Sequence, residues 1–255
     1  MTEAAAERKI RVPLIVAAGS RFGRYKPEEE KEVCKVEVKE DKVLKQLKAA
    51  WKGYDHDPCS GGRIVEDASG ELYNRALARI KGLDYSAKDV ENFSIALAEF
   101  QDEKGFSDNA GVFLSALINN GRDTDYVIHT RHLSPGIQAL GCENTKNITV
   151  DGDVEARVGL HMKGGSITVN GTVIWGVGYV MQGGSITVNG DAGDWVGNSM
   201  EGGSITVNGD ARYGVGNTMK GGEIHLEGDY HDVSQTIKGG KVYHKGVLIV
   251  DKGFS

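Results

Sequence analysis

Two clusters of histidine and cysteine are the first residues of the chain whose types and spacing could bind a metal. The sequence reads HDPC at residues 56–59 and HTRH at residues 129–132, with Cys142 further along. Histidine nitrogen and cysteine sulfur are the ligands that zinc prefers, but a structural zinc site needs four of them. No Cys-x-x-Cys pair accompanies either cluster, and two histidines three residues apart are also typical of a strand that ends in a polar turn. We therefore predict no metal site.

A glycine-containing segment near the start of the chain could bind phosphate. The sequence AGSRFGR at residues 18–24 follows an apolar run, as phosphate-binding loops follow a strand. It lacks the Gly-Lys-Ser/Thr ending of a P-loop and the second spaced glycine of a dinucleotide-binding motif. A strand followed by a turn is the simpler interpretation, so we predict no cofactor.

Aspartates and tryptophans recur at a fixed interval in the second half of the chain. Asp191, Asp210 and Asp229 follow one another at equal spacing, with Asp153 in the same place earlier. Glycoside hydrolysis uses two carboxylates about 5–10 Å apart, but aspartate after glycine is also an ordinary turn residue. Trp175 and Trp195, in equivalent parts of the repeat, could form a stripe that stacks on sugars or anchors a protein partner. We predict no catalytic residue and leave the role of the tryptophans open between these two.

These side chains must be positioned by a repeat that fills residues 147–255. Four units of equal length align without a gap, a fifth is one residue shorter, and a sixth is incomplete; they begin at Asn147, Ser166, Ser185, Ser204, Glu223 and Lys241. Each unit contains a segment like Ile-Thr-Val-Asn-Gly, in which apolar and polar residues alternate as in a half-buried strand that ends in a turn. Glycine at four or five positions per unit disfavours a helix, and the leucines of a leucine-rich repeat are absent. A period of about 20 residues with this pattern predicts a right-handed parallel β-helix.

Stacking of the coils predicts which residues form the core and the corners. Three inward ladders are expected, namely Ile148, Ile167, Ile186, Ile205 and Ile224; Val150, Val169, Val188, Val207 and Leu226; and Met162, Met181, Met200, Met219 and Ile237. The glycines that follow the strands, such as Gly190 and Gly209, are expected to need positive φ. Valine at position 209 should then destabilise the protein, whereas asparagine should be tolerated. The paired glycines, such as Gly202 and Gly203, are expected to turn the next corner.

The first 120 or so residues have a different, mainly helical pattern. Helices are predicted over 41–51, 71–80, 86–103 and 108–119, with Ser86 as an N-cap and Gly53, Gly82 and Gly121 as stops. Short strands are predicted over 34–38 and 126–129, and a loop over 58–70. The predicted fold class is therefore α+β, with a mainly helical domain over residues 1–122 and a parallel β-helix over residues 123–255.

Composition and charge exclude several classes of protein. The 255-residue chain has 39% hydrophobic and 26% charged residues, which is typical of a globular protein rather than a disordered one. A net charge of −6 disfavours a general nucleic-acid binder, and no apolar run approaches the roughly 18 residues of a membrane helix. The N-terminus is acidic, unlike a secretion signal, and three widely spaced cysteines do not form a disulfide framework. We expect a cytoplasmic protein.

The repeats resemble a known family, the GXGXG domain. Residues 190–197 read GDAGDWVG, and the units continue as Met-x-Gly-Gly-x-Ile-x-Val-x-Gly-Asp-Ala. Over about residues 145–240 this pattern is similar to the C-terminal β-helix of glutamate synthase large subunits and to the C-type subunit of formylmethanofuran dehydrogenase. The full glycine triplet occurs once, because Ile174, Arg212 and Asp232 replace or displace its middle member in other coils. The resemblance implies a scaffold between catalytic parts rather than a site of chemistry.

Two functions follow from these observations. The first is a non-catalytic scaffold or protein-interaction module that binds partner subunits or itself, as a homo-oligomer paired through residues 247–250. The alternative is an accessory or catalytic subunit of a glutamate synthase-like or formylmethanofuran dehydrogenase-like oxidoreductase complex, with its site where the two halves meet. An amidotransferase of the glutamate synthase type would need an N-terminal catalytic cysteine, and residue 2 is Thr2.

Overall fold

The computed structural model describes residues 41–54 and 66–253, and this part of the chain has four α-helices followed by eleven strands. The predicted strand over 34–38 lies outside the described residues. The helices are α1 (Lys42–Lys52), α2 (Glu66–Ile80), α3 (Ala87–Ala96) and α4 (Phe106–Asn120). The strands are β1 (Asp125–His129), β2 (Asn147–Asp151), β3 (Val154–Ala156), β4 (Ser166–Val169), β5 (Val173–Trp175), β6 (Ser185–Val188), β7 (Ala192–Asp194), β8 (Ser204–Val207), β9 (Glu223–Leu226), β10 (Gly240–His244) and β11 (Val247–Lys252). The predicted α+β class is confirmed.

The helices begin and end at the predicted capping residues. Asp41 accepts a hydrogen bond from the backbone N–H of Leu44 at the start of α1, and Gly53 caps its end. Ser86 and Asp89 form a capping box at the start of α3, and Gly121 caps α4. Local side-chain chemistry therefore fixes the ends of these helices, as the sequence predicts.

Two helical boundaries differ from the prediction. Helix α2 begins at Glu66, so residues 66–70, predicted as loop, are helical. The cost of a glycine such as Gly70 in a helix is only about 1 kcal/mol. Helix α3 ends at Ala96 and continues as a short 3-10 turn, Leu97–Glu99, rather than reaching residue 103. The chain must turn there because Gly105, with φ of 79°, leads directly into α4.

The second half is a parallel β-helix. Eight strands form one sheet in the order β1-β2-β4-β6-β8-β9-β10-β11, and β3, β5 and β7 form a second sheet. Neighbouring coils pair in register, so that Ile167 stacks on Ile148 and Ile186 on Ile167. All three predicted ladders are buried. Two further buried columns, which begin at Val154 and Val158, fill the remaining sides of the core.

The two ends of the β-helix differ from the repeat. Strand β1 pairs in parallel with β2, so it adds a coil before the first recognisable unit. At the other end, β10 and β11 form an antiparallel hairpin. The turn of the hairpin, Lys245 (φ 49°) and Gly246 (φ 75°), has positive φ at both residues, which is the favoured geometry of a two-residue hairpin loop.

The helices and the coils share one continuous hydrophobic core. Helix α3 packs against β1, and α2 packs against α4. Trp51 of α1 contacts the rings of Phe100, Phe106 and Phe113, with centroids 6.2, 6.0 and 5.4 Å away. The boundary between residues 122 and 123 stays a prediction. None of the helices in the described ranges has the length and apolar character needed to cross a bilayer.

The glycines after the strands do not have the conformation expected from the sequence. Gly152 has φ of 130°, but Gly171, Gly190, Gly209 and Gly228 do not have positive φ. They lack room instead: a Cβ on Gly209 would lie 2.6 Å from the carbonyl carbon and oxygen of Gly190 in the preceding coil. The expected tolerance of asparagine at position 209 is therefore wrong, because any side chain meets that backbone.

The paired glycines do form a corner of the coil, as predicted. The second glycine of each pair has positive φ, from 70° at Gly165 to 99° at Gly240. Glycine adopts this left-handed conformation without the steric cost that a Cβ brings. Positive φ therefore explains this second row of glycines but not the first.

Candidate functional site

His129, one of the candidate metal ligands, lies between two carboxylates. Its Nε2 is 3.3 Å from Oε1 of Glu91 on α3, and its Nδ1 is 3.3 Å from Oδ2 of Asp151 on β2. Arg131 Nε donates to Asp151 Oδ1 at 2.8 Å, and this hydrogen bond lowers the pKa of the Asp151 carboxyl. Because the carboxylates contact opposite ring nitrogens, the cluster ties α3 to the sheet rather than converging on one point.

The other candidate ligands do not complete a metal site. Burial lowers the pKa of His132, and its Nε2 has no hydrogen-bond partner among the described residues. Cys142 is a buried free thiol whose pKa is raised to about 12 by burial. In the described ranges no group of three or more His, Cys, Asp or Glu side chains is arranged to hold a metal. His56, Cys59 and the glycine-containing segment 18–24 lie outside the described residues.

The aspartates that recur once per coil bind the backbone of the next coil. Asp191 Oδ1 accepts from the N–H of Asp210 at 2.9 Å, and Asp210 Oδ1 accepts from the N–H of Asp229 at 2.8 Å. Asp153 Oδ1 does the same for Thr172 at 2.7 Å. Each carboxylate satisfies a backbone donor at a turn, where aspartate is common. This geometry favours the turn interpretation of the ladder over the catalytic one.

A row of aromatic side chains follows one side of the β-helix from coil to coil. We call Arg157, Trp175, Trp195, Tyr213 and His231 the aromatic stripe. The Arg157 guanidinium carbon lies 4.7 Å from the ring centroid of Trp175. The rings of Trp175 and Trp195 are 6.0 Å apart and nearly perpendicular, at 88°, and those of Tyr213 and His231 are 4.1 Å apart at 74°. Successive coils therefore contribute to one contiguous surface.

The two tryptophans occupy adjacent rather than equivalent positions of the coil. Trp175 pairs with Asp194 in the three-stranded sheet, so Trp195 lies one residue further along its own coil. Trp195 has φ of 65°, and its backbone N–H donates to the carbonyl of Tyr213 at 2.8 Å. The alternation between two neighbouring positions lets the rings interlock edge to face, which is a preferred aromatic geometry.

Glycine in the next coil gives Trp195 its place. A Cβ on Gly214 would lie 2.7 Å from Trp195 Cδ1, so only glycine leaves the indole its position. Gly176 stands in the same relation to Arg157, whose Cγ would be 3.4 Å from an added Cβ. The sequence contains this signal, since the position of Arg157 and Trp195 alternates with glycine in successive coils. Reading it requires knowing that side chains lean over the following coil.

The stripe exposes large apolar surface. Trp195 is 46% exposed, Tyr213 46% and the adjacent Ile174 59%. Tryptophan, tyrosine and arginine are the residues that most often dominate the binding energy of protein interfaces. The perpendicular rings present no continuous flat platform of the kind on which a sugar chain stacks. Of the two roles that the sequence leaves open for the tryptophans, the geometry favours a protein anchor.

The turn beside the stripe contains strained residues. Val180 has φ of 53°, and Ser199 and Thr218 take the same conformation in the next two coils. A β-branched residue is disfavoured there because its side chain crowds the backbone. We expect Val180→Gly to raise the free energy of unfolding by about 1 kcal/mol, since a non-glycine residue at positive φ costs roughly that amount. Thermal unfolding should show the melting temperature rising by about 2–4 °C.

Thr168→Gly is the control for this prediction. Thr168 lies in strand β4, where glycine only adds conformational freedom to the unfolded chain and should cost about 0.5–1 kcal/mol. If Val180→Gly lowered the melting temperature as Thr168→Gly does, the turn at Val180 would not be strained.

The fold and the aromatic stripe together define a parallel β-helix protein with an exposed aromatic surface along one side. No family model matches the chain, and none of the curated proteins compared with it is similar in sequence. The resemblance to the GXGXG domain therefore stays a prediction.

Proposed function

We propose that the protein is a non-catalytic scaffold in the cytoplasm and that its aromatic stripe binds a partner protein. The observation that carries the proposal is the exposure of Trp195 and Tyr213 beside Arg157 and Arg212. Aromatic side chains lose little conformational entropy on binding for the area that they contribute. Those of the stripe are already held by their neighbours, which lowers this cost further.

The polar candidates support a scaffold because they already have structural partners. The aspartate ladder accepts backbone N–H groups between coils, and His129 bridges α3 and the sheet through Glu91 and Asp151. The resemblance to the GXGXG domain points in the same direction, since it implies a scaffold between catalytic parts. A rigid rod of stacked coils also holds its surface side chains at a fixed spacing, which suits the recognition of one partner.

Trp195→Asn tests the proposal. Asparagine tolerates the left-handed backbone of Trp195, so the variant should fold while losing the indole. The wild-type chain and the variant are each cross-linked in native extract of the source organism, and the captured proteins are quantified by mass spectrometry. A residue at the centre of an interface contributes at least about 2 kcal/mol, which corresponds to roughly a thirtyfold loss of a specific partner.

Tyr243→Asn is the matched control. Tyr243 is an aromatic residue of strand β10 that stacks on His225 at 4.6 Å, outside the stripe. The partner should be retained by Tyr243→Asn and lost by Trp195→Asn. Equal capture by all three proteins would contradict the proposal. Binding to an array of glycans that Trp195→Asn abolishes would replace it with the sugar-stacking interpretation.

A further inference from the structure

The two edges of the eight-stranded sheet are treated differently. Strand β1 forms one edge, and α3 packs against it. Strand β11 forms the other edge, and no strand beyond it is present in the described part of the chain. An edge strand carries a row of unpaired N–H and C=O groups, which natural proteins cover or protect with charges.

Strand β11 is apolar where such protection is expected. Val247 is 64% exposed, Leu248 44% and Ile249 38%. These three consecutive residues are among only seven large apolar side chains that are clearly exposed in the described ranges. The charged residues of the strand, Asp251 and Lys252, come only at its end. The edge thus combines free backbone groups with apolar side chains, the two features that favour the addition of a further strand.

We propose that β11 pairs antiparallel with β11 of a second copy of this chain. A two-fold axis perpendicular to the sheet reverses the strand direction and keeps each side chain on the same face, so the same surface serves both copies. Each residue is then opposite one of the same parity in the number sequence, and only registers centred on a residue are possible. The pairing joins the two eight-stranded sheets into one.

Charge complementarity selects the register and favours a second copy as the occupant. With Leu248 on the axis, opposite its own equivalent, Val247 lies opposite Ile249, and Lys245 lies opposite Asp251. Apolar side chains then face each other, and two ion pairs form at the ends of the short ladder. A register centred on Ile249 or Val250 would instead place Asp251 opposite Val247 or Ile249, which leaves a carboxylate against an apolar side chain.

The local geometry limits the ladder to a few residues. The register of β10 and β11 shifts between Val242 and Tyr243, so Ile249 is the extra residue of a β-bulge. A bulge bends its strand and increases the twist. Lys245 Nζ is 3.1 Å from Asp229 Oδ1 in its own chain, so the ammonium group is already near the edge that Asp251 of the second copy would approach.

The oligomeric state of the full chain tests the proposal. We expect a dimer by size-exclusion chromatography with light scattering, dissociating on dilution. Leu248→Lys places two like charges together on the axis and should give a monomer with an unchanged melting temperature. Thr187→Lys, on the outer face of the same sheet, should remain dimeric. A wild-type chain that is monomeric at every concentration, or a Leu248→Lys chain that is still dimeric, would overturn the proposal.

Charge exchange tests the register even if Leu248→Lys does not fold. Asp251→Lys alone should weaken the dimer because it opposes two ammonium groups, and adding Lys245→Asp should restore it. A double variant as weak as the single one would exclude the Leu248-centred register. A monomer whose β11 amides are protected from hydrogen exchange would show that another part of the same chain covers the edge, which would also overturn the proposal.

The edge and the aromatic stripe can be separated experimentally. Trp195→Asn should leave the dimer intact, and Leu248→Lys should leave capture of the stripe's partner intact. If Trp195→Asn dissociated the dimer while Leu248→Lys did not, the stripe and not β11 would be the contact between copies.

Discussion

Ile186→Asp is expected to prevent folding of the β-helix. Ile186 is 1% exposed, and it stacks in register between Ile167 and Ile205 of the neighbouring coils. A carboxylate there has no cation to pair with, and burial of an unpaired charge costs several kcal/mol even after the surroundings relax. Whole domains are stable by only about 5–15 kcal/mol, so the loss removes much of the margin. Circular dichroism should show loss of strand signal, and the expressed protein should be largely insoluble.

Two neighbouring variants separate the effect of burial from that of the substitution itself. Ile186→Val keeps the position apolar and should cost only about 0.5–1.5 kcal/mol. Thr187→Asp places the same carboxylate one residue further on, where the side chain points away from the core, and the protein should fold. A soluble Ile186→Asp variant with an unchanged melting temperature would show that Ile186 does not lie in the core.

The ladders could be predicted from the sequence because stacking repeats one environment. In a β-helix each coil places the residue at a given position of the repeat on the same residue of the previous coil. Ile148, Ile167 and Ile186 share one environment for this reason, and an alignment by eye at the period of the repeat finds it. The strand β1 could not be found in this way, since Tyr126 pairs with Ile148 at a longer interval than that period and carries no repeat motif.

The candidate site was only partly predictable. The sequence singles out Trp175 and Trp195, but it suggests equivalent positions, and the structure shows adjacent ones. Their contact depends on the direction in which each side chain leans and on the room left by Gly214. Tyr213 and His231 join the stripe through the same geometry. Periodicity gives the position of a residue within a coil, but it does not give the direction of its side chain along the rod.

The capping residues show the opposite case, in which local chemistry is sufficient. Ser86 and Asp89 are three residues apart, and their reciprocal hydrogen bonds need no partner from elsewhere in the chain. The end of α3 was not predicted because it depends on packing: Phe100 is buried against Trp51 of α1, which is distant from it in the sequence. Prediction therefore succeeds where neighbours in sequence decide the structure and fails where distant ones do.

Gly209→Ala is expected to lower the free energy of unfolding by about 2–4 kcal/mol, which combines the cost of overpacking with the loss of one or two hydrogen bonds. An added Cβ would lie 2.6 Å from the carbonyl carbon and oxygen of Gly190. The coils would have to separate where the N–H of Gly209 donates to the carbonyl of Gly190 at 3.2 Å and that of Asp210 donates to Asp191 at 2.9 Å. The melting temperature should fall by about 4–16 °C.

Two other glycines separate lack of room from backbone conformation. Gly164 lies at the next corner, has no atom within 4 Å of an added Cβ and does not have positive φ, so Gly164→Ala should be nearly neutral. Gly82 is equally open but has φ of 81°, so Gly82→Asn should be tolerated and Gly82→Val should not, because asparagine accepts the left-handed region and a β-branched residue does not. At position 209 alanine, asparagine and valine should all destabilise, since each brings the same Cβ against Gly190. Melting curves of these variants decide between the two explanations: a Gly209→Asn protein as stable as the wild type would mean that the turn requires a conformation and that the coils are not in contact at this glycine.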